Sequence, residues 1–149
     1  MKCLSVCQPF ANLILEGKKT IELRKWNTEF RGEFLVHAPR KILTDDCKRL
    51  KIKTNLITGA IIGKVELVSV KKYENELEIN LDWKKHLASN YATENKYGFI
   101  LEKPKQLKVP IPYNGQLNFF EFKPEVLTTD EIKTDIFDEE HRYMWINHH

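Results

Sequence analysis

Three ionisable residues, Lys19, Glu22 and Arg24, are spaced so that they could act together on one ligand. The guanidinium group of Arg24 carries a planar set of donors that matches a phosphate or the acceptor edge of a base. Lys19 would add a point charge for phosphate, and Glu22 could accept a hydrogen bond from an exocyclic amine and orient the arginine. These side chains could therefore contact a phosphate group or the polar edge of a base. A glutamate and an arginine two residues apart are also often an exposed ion pair, which contributes little.

The same residues would suit catalysis on RNA. Glu22 or His37 could act as general base on a 2′-hydroxyl or a water molecule. Lys19 and Arg24 would then stabilise the charge on phosphorus. The unperturbed pKa of histidine lies nearest neutrality, although a histidine at a strand end is more often structural. A metal-dependent nuclease needs a cluster of carboxylates, and this segment supplies a single one, so we expect no metal ion or other cofactor.

An alternating pattern over residues 19–26 predicts the strand that would position these groups. Ile21 and Leu23 share one face, which would pack in the core. The charged side chains would therefore project from the other face. That face would carry Thr20, Glu22, Arg24 and Trp26.

Six segments of the chain are typical of strands. Helices are predicted over residues 9–17, 44–53 and 82–91, with a short polar helix beginning near residue 129. Prolines make residues 110–113 an extended connection. Because the helices are too few for a parallel sheet of βαβ units, we expect an α+β fold: a small mixed β-barrel of about six strands with two to three short helices. The predicted strands are residues 2–6, 19–26, 34–38, 59–68, 97–101 and 117–122.

Length and composition limit the class of protein. With 149 residues, of which 42% are hydrophobic and 30% charged, the chain can fill the core of one domain. No apolar run approaches the roughly 18 residues of a membrane helix, so no membrane partner is expected. The start of the chain lacks the pattern of a signal peptide, which predicts a cytoplasmic location with the three cysteines reduced.

The net charge of +3 is unevenly distributed. Residues 1–53 hold 12 Lys or Arg against 6 Asp or Glu, whereas residues 121–149 hold 3 against 8. A basic first third fits a phosphate-bearing partner, and a solvated lysine-rich surface fits equally well. The acidic end could fold back over the basic region, or serve as a protein-interaction module. The basic run that could track a phosphate backbone comprises Arg40, Lys41, Lys48, Arg49, Lys51 and Lys53.

The chain resembles the ASCH family (activating signal cointegrator homology), whose fold is a PUA-like β-barrel. The family signature is a Gln-Pro helix followed by G-x-K-x-x-E-x-R. The agreement extends over roughly residues 2–122, so we expect an ASCH domain over residues 1–124 and an acidic extension, with a possible short helix, over residues 125–149. The matching residues are Gln8, Pro9, Gly17, Lys19, Glu22, Arg24, Trp26, Phe30, Arg31, Gly32, His37, Ala38, the segments 59–63 and 97–99, and residues 110–112.

The resemblance implies a cleft beside the motif strand that binds RNA, another nucleic acid or a nucleotide. Trp26 would offer a stacking face for an unpaired base. Gln8, at the helix start, would place its amide in the same cleft. The expected ligand-binding residues are Gln8, Lys19, Glu22, Arg24, Trp26, Arg31, His37, Arg40 and Lys41.

Some proteins with this resemblance are hydrolases. One branch resembles amidohydrolases that remove an acyl group from a modified cytidine with a Lys, a Thr nucleophile and a Glu. The motif lysine corresponds to Lys19, but the nucleophile position corresponds to Glu22. Thr20 lies two residues earlier, roughly 6.5–7 Å along the strand, and a nucleophile must lie within hydrogen-bond reach of its base. A second branch cleaves RNA, so a hydrolase that uses Lys19 and Glu22, with Thr20 or His37 as further candidates, remains the alternative to a binding domain.

Overall fold

The structure, a computed structural model, describes residues 1–89 and 95–123. Within these ranges the chain forms six strands and four short helices. The strands are β1 (Lys2–Ser5), β2 (Ile21–Arg24), β3 (Gly32–Ala38), β4 (Ala60–Lys72), β5 (Tyr97–Pro112) and β6 (Phe119–Glu121). The helices are α1 (Phe10–Leu15), α2 (Thr44–Arg49), α3 (Glu76–Leu81) and α4 (Trp83–His86).

The six strands form one mixed sheet in the order β2-β5-β4-β3-β1-β6. β1 pairs in parallel with β3, and the other neighbouring pairs are antiparallel. The sheet curves into a half-barrel, which confirms the predicted α+β class with a PUA-like barrel. β2 and β6 lie at the two ends of the strand order, so β1 comes near the opposite end of the sheet from β2.

The packing of β2 determines where its charged residues point. Ile21 and Leu23 are buried in a small apolar cluster with Tyr73 and Ile79, on the side of the sheet covered by α3. Burying an isoleucine or leucine side chain contributes roughly 1.5–3 kcal/mol, which holds this face against α3, whereas Glu22 on the opposite face is paired in register with Phe99. The predicted division of β2 into an apolar and a charged face is therefore confirmed. The main core is formed largely by Leu4, Val6, Ile14, Phe34, Val36, Ile62, Leu67 and Phe99.

The helix predicted over residues 82–91 is wrong in its boundaries. α4 is much shorter, and α3, which the sequence pattern did not indicate, precedes it. The carboxylate of Asp82 lies between the two helices and accepts hydrogen bonds from the Tyr73 hydroxyl at 2.7 Å and from Lys71 at 2.9 Å, instead of capping a helix. Leu87 then adopts a left-handed φ of 58°, which ends α4.

Two other predicted boundaries also need correction. The helix predicted over residues 44–53 ends at Arg49, and Lys51 already has a left-handed φ of 57°. The strand predicted over residues 97–101 and the extended connection that follows it form one strand, β5. Shifts in the pairing register between β4 and β5 let this strand pass its prolines, which cannot donate ladder hydrogen bonds.

The predicted domain boundary at residue 124 falls where the described residues end. The helix predicted near residue 129 and the acidic extension 125–149 lie outside the described residues. No helix in the part of the chain that the structure describes has the length and apolar character needed to cross a membrane. Cys3 is buried, Cys7 and Cys47 are half-buried, and all three are free thiols.

A close approach of β5 and α1 to Gly63 gives a direct test of the barrel. A Cβ atom at this position would lie 2.5 Å from the carbonyl oxygen of Lys105 and 2.6 Å from a methyl carbon of Leu15. We expect Gly63→Ala to lower the free energy of unfolding by about 1–3 kcal/mol, as overpacking typically does. Ser69→Ala, at an exposed position of the same strand, should change it by less than about 0.5 kcal/mol. Chemical denaturation of both variants measures the difference, and equal stabilities would contradict this packing.

Candidate functional site

The structure brings Lys19, Glu22 and Arg24 together, and we call them the charged triad. The Nζ atom of Lys19 lies 3.3 Å from Oε1 of Glu22. Oε2 of Glu22 accepts from Nε of Arg24 at 3.0 Å and lies 2.9 Å from its Nη2. The side chains of Lys19, Glu22 and Arg24 are 2%, 12% and 20% exposed. The carboxylate therefore lies between two cations, and the arginine is the member most open to solvent.

Lys19 is held in the interior by the turn that follows α1. Gly17 has a φ of 77°, and the backbone N–H of Lys19 donates to the carbonyl of Leu13. Its ammonium group then donates to the backbone carbonyl of His86 and lies 5.0 Å from the centroid of the Phe10 ring. The sequence predicted a point charge available to phosphate. In the structure the ammonium group is buried and is bound by the carbonyl of His86 and the carboxylate of Glu22. Direct contact between Lys19 and a ligand is therefore not expected.

Burial and mutual attraction oppose one another in the triad. Desolvation would raise the pKa of Glu22, but Lys19 and Arg24 together hold it below its usual value. Desolvation lowers the pKa of Lys19, and the charge of Glu22 opposes that shift. The ionised triad has two cations and one anion, and therefore one net positive charge. Such a site favours an anionic ligand over a neutral one.

Arg24 also joins two distant parts of the sheet. Its Nη2 atom donates to the carbonyl of Ser5 at 2.8 Å, at the end of β1 that lies beyond the pairing with β6. Nε and Nη2 are thus occupied by Glu22 and Ser5. Nη1 has no hydrogen-bond partner among the residues described, so its two N–H groups are the donors that the triad leaves for a ligand.

The predicted cations outside the triad include Arg40 and Lys41. Cys7 is half-buried, and burial raises the pKa of its thiol while the charges of Lys41 and Arg24 oppose that shift. The charges of both side chains therefore act on the Cys7 thiol. Arg40 is exposed, and its side chain passes over Gly59, whose φ is 68°. Two of the predicted ligand-binding cations, Arg40 and Lys41, are thus exposed, and Lys41 shares the surroundings of Cys7 with Arg24.

Gln8 does not offer its amide as predicted. The side chain is fully buried, and its Nε2 donates to Oδ1 of Asn12 at 2.8 Å and to the carbonyl of Ile57 at 2.9 Å. Its Oε1 accepts from the backbone N–H of Asn12 at 2.9 Å. The hydrogen bonds of this amide connect the start of α1 to the segment before β4. Its contribution to a site is therefore to hold the local backbone.

His37 forms a separate network on the other side of β1. Its Nε2 donates to the carbonyl of Tyr113 at 2.7 Å, and in the neutral ring Nδ1 then accepts from the Ser5 hydroxyl at 2.8 Å. Burial lowers the pKa of His37. A Cβ atom at Gly115 would lie 2.4 Å from Oγ of Ser5, so the loop backbone packs directly over this pair. Both ring nitrogens are therefore engaged, and His37 is connected to the triad indirectly, through Ser5, whose carbonyl accepts from Arg24.

Three other predicted site residues lie apart from the triad's contacts. The Trp26 ring packs edge-on against Phe99 at 5.2 Å between centroids and is half-buried beside the main core. Arg31 is exposed and donates to carbonyls of its own loop, at Thr28 and Phe30. Thr20 is exposed, and no hydrogen bond joins its hydroxyl to Lys19 within the described residues. Because the Trp26 ring is half-buried against Phe99, only part of its surface is left for stacking on a base.

The sequence did not indicate His86. Its carbonyl contacts Lys19 across 67 positions of the chain, and such a long-range contact leaves no local pattern. Arg49, which the sequence placed in a phosphate-tracking run, donates to the carbonyl of Leu87 at 2.7 Å. It also pairs with Asp46 at 2.8 Å. Part of the basic run therefore fastens α2 to the segment that holds the triad.

Comparison with known proteins supports the family and the fold. The ASCH domain model matches residues 4–111. Activating signal cointegrator 1 is 25% identical over 126 residues in Homo sapiens and 23% over 129 residues in Mus musculus, covering 76% of this chain and 21% of each relative. The chain thus spans about a fifth of the length of these curated relatives.

Solved structures show the same architecture. ASCH from Zymomonas mobilis superposes with a TM-score of 0.61 at 14% sequence identity, and the match covers 83% of this chain and 88% of that one. A variant of that protein in which phenylalanine replaces a tyrosine gives 0.58 at 15% identity, covering 82% and 89%. At these identities the likeness shows the fold alone.

Proposed function

We propose, on the premise that this chain belongs to the ASCH domain family, that it binds RNA or a nucleotide on the side of the fold that carries the charged triad. The observation that carries this proposal is the environment of Arg24. Two of its nitrogens are fixed by Glu22 and Ser5, and the third is left for a ligand. A donor that is already fixed in place binds without a further loss of side-chain freedom.

The ligand group that fits this donor is an anionic oxygen. Reading the edge of a base with arginine uses two nitrogens in parallel, and two of the three nitrogens of Arg24 are already occupied. The net positive charge of the triad and the nearby Lys41 add attraction for phosphate. We therefore assign Arg24, Arg40 and Lys41 to ligand contact, and Lys19 and Glu22 to holding Arg24 in position.

The contacts favour binding over hydrolysis. Both oxygens of Glu22 are paired with cations, and its pKa is held low, which makes it a weak proton acceptor. The two ring nitrogens of His37 are occupied by Ser5 and Tyr113. The hydrolase alternative needs one of these groups to act as a base. We further propose a binding domain that ends near residue 124 and a cytoplasmic location.

A panel of nucleosides and nucleotides tests the proposal. We expect nucleoside 5′-monophosphates and a short single-stranded RNA to bind in titration calorimetry at low salt, and the matching nucleosides to bind at least tenfold more weakly. Cys7 provides a second readout because the charges of Arg24 and Lys41 act on its thiol. Its rate of modification by a small thiol reagent should fall when RNA is present, in a Cys47→Ser background. If no RNA or nucleotide binds above background, the proposed function is wrong.

A further inference from the structure

The side chain of His86 is buried behind the triad and bonded at both ring nitrogens. Its Nε2 lies 2.8 Å from the carbonyl of Ile79, and the backbone N–H of Ala88 lies 3.0 Å from its Nδ1. A carbonyl can only accept and a backbone N–H can only donate. The ring is therefore the neutral tautomer with its proton on Nε2.

These two hydrogen bonds fix the backbone on both sides of the His86 carbonyl. One reaches back to α3, and the other closes the turn in which Leu87 has a left-handed φ of 58°. Arg49 holds the same turn from α2, through the carbonyl of Leu87 at 2.7 Å. The His86 carbonyl is thereby directed at the ammonium group of Lys19.

We propose that His86 is a positioning residue of the ligand site, and that protonation of its ring weakens ligand binding. The inference rests on the proposed function for its ligand. A proton on Nδ1 would turn an acceptor into a donor facing the N–H of Ala88, so the turn would have to move. The carbonyl that holds Lys19 would move with it, and the effect would pass through Glu22 to Arg24.

The surroundings of the His86 ring favour its neutral form near pH 7. Burial lowers the pKa of His86; the hydrogen bond to Ile79 and the charge of Asp82 oppose the shift, while Lys19 and Arg49 add to it. The ring is therefore neutral near pH 7 and takes up its proton only in more acid solution. Acidification ordinarily strengthens RNA binding by adding positive charge. This site is expected to do the opposite, which separates the inference from a general electrostatic effect.

The test is RNA affinity between pH 7.5 and 5.0 at constant ionic strength, for the full chain and for His86→Gln, His86→Asn and His86→Ala. Glutamine keeps a donor near Nε2 and asparagine keeps an acceptor near Nδ1, and neither titrates. We expect the unmodified chain to lose about tenfold in affinity on acidification, which corresponds to the loss of one hydrogen bond to a charged group. The two amide variants should bind less tightly at pH 7.5 than the unmodified chain, more tightly than the alanine variant, and without the loss of affinity on acidification. His37, which reaches Arg24 through Ser5, is present in every protein, so a loss that persists in the amide variants does not come from His86.

A ligand-free measurement keeps this inference separate from the proposed function. In NMR spectra without RNA, the Nε–H resonance of Arg24 should shift with the protonation of His86 and remain unshifted in His86→Gln. Parallel pH profiles in all the proteins, or an Arg24 resonance that ignores His86, would overturn the positioning role. If RNA does not bind but the resonance follows His86, the proposed function fails and the coupling stands.

Discussion

Lys19→Met is expected to lower the free energy of unfolding by about 3 kcal/mol, at the lower end of the roughly 3–5 kcal/mol found when one partner of a buried ion pair is removed. The ammonium group satisfies a buried carboxylate and a buried carbonyl, those of Glu22 and His86. Methionine occupies a similar volume but cannot donate, so both acceptors lose a partner. Arg24 remains beside Glu22, which keeps the loss from being larger.

The neighbouring lysine supplies a matched control. The side chain of Lys18 is 67% exposed and its Nζ lies 3.5 Å from Glu16, so Lys18→Met should change stability by at most about 1 kcal/mol. A double variant, Lys19→Met with Glu22→Gln, should recover none of the loss, because the carboxylate that it removes is also the partner of Arg24. Urea denaturation of the three proteins measures these differences. Equal losses at positions 18 and 19 would show that the charge at position 19 is not buried.

Arg24→Ala should reduce affinity for single-stranded RNA by at least about tenfold at low salt, since a hydrogen bond to a charged group contributes roughly 1.5–3 kcal/mol. The slope of log affinity against log salt should also become shallower by about 0.7, the value expected for one phosphate contact on a single strand. Both effects follow because Nη1 of Arg24 is the donor that the triad leaves for a ligand. Fluorescence anisotropy over a salt series measures them together.

A variant with the same change of charge distinguishes contact from general electrostatics. The side chain of Lys103 is 79% exposed and lies 3.8 Å from Glu66 on the β4–β5 pair. Lys103→Ala should alter affinity by less than about twofold. Arg24→Lys keeps the charge but not the planar set of donors, so its affinity for RNA should lie between those of the unmodified chain and Arg24→Ala. This variant also serves if Arg24→Ala weakens the fold. Equal losses from Arg24→Ala and Lys103→Ala would remove Arg24 from the site.

The arrangement of β2 could be predicted because it depends on local alternation. Ile21 and Leu23 share one buried face as the pattern indicated, and this turns Glu22 and Arg24 to the other side. The meeting of Lys19 with Glu22 does not follow from that alternation, which would place residues 19 and 22 on opposite faces. It arises because β2 begins at Ile21 and Lys19 belongs to the turn after α1.

The depth of the site could not be predicted in the same way. Lys19 is buried because α4 supplies a carbonyl from 67 residues away, and Gln8 is satisfied by a carbonyl 49 residues away. Such partners are set by the tertiary fold and not by neighbouring residues. α3 escaped prediction for a related reason, since Ile79 is its single buried residue and one apolar contact gives no helical period.

The hydrogen bond from Arg24 to the carbonyl of Ser5 has a consequence for the whole half-barrel. It connects β2, at one end of the strand order, to β1, next to the other end. One guanidinium group therefore bridges the two edges of the half-barrel, which we call the open seam. A phosphate held by the same group would tighten that seam while it occupies the site, and the folded state would gain stability with saturation. On the proposed function, ligand binding and closure of the half-barrel would then be linked.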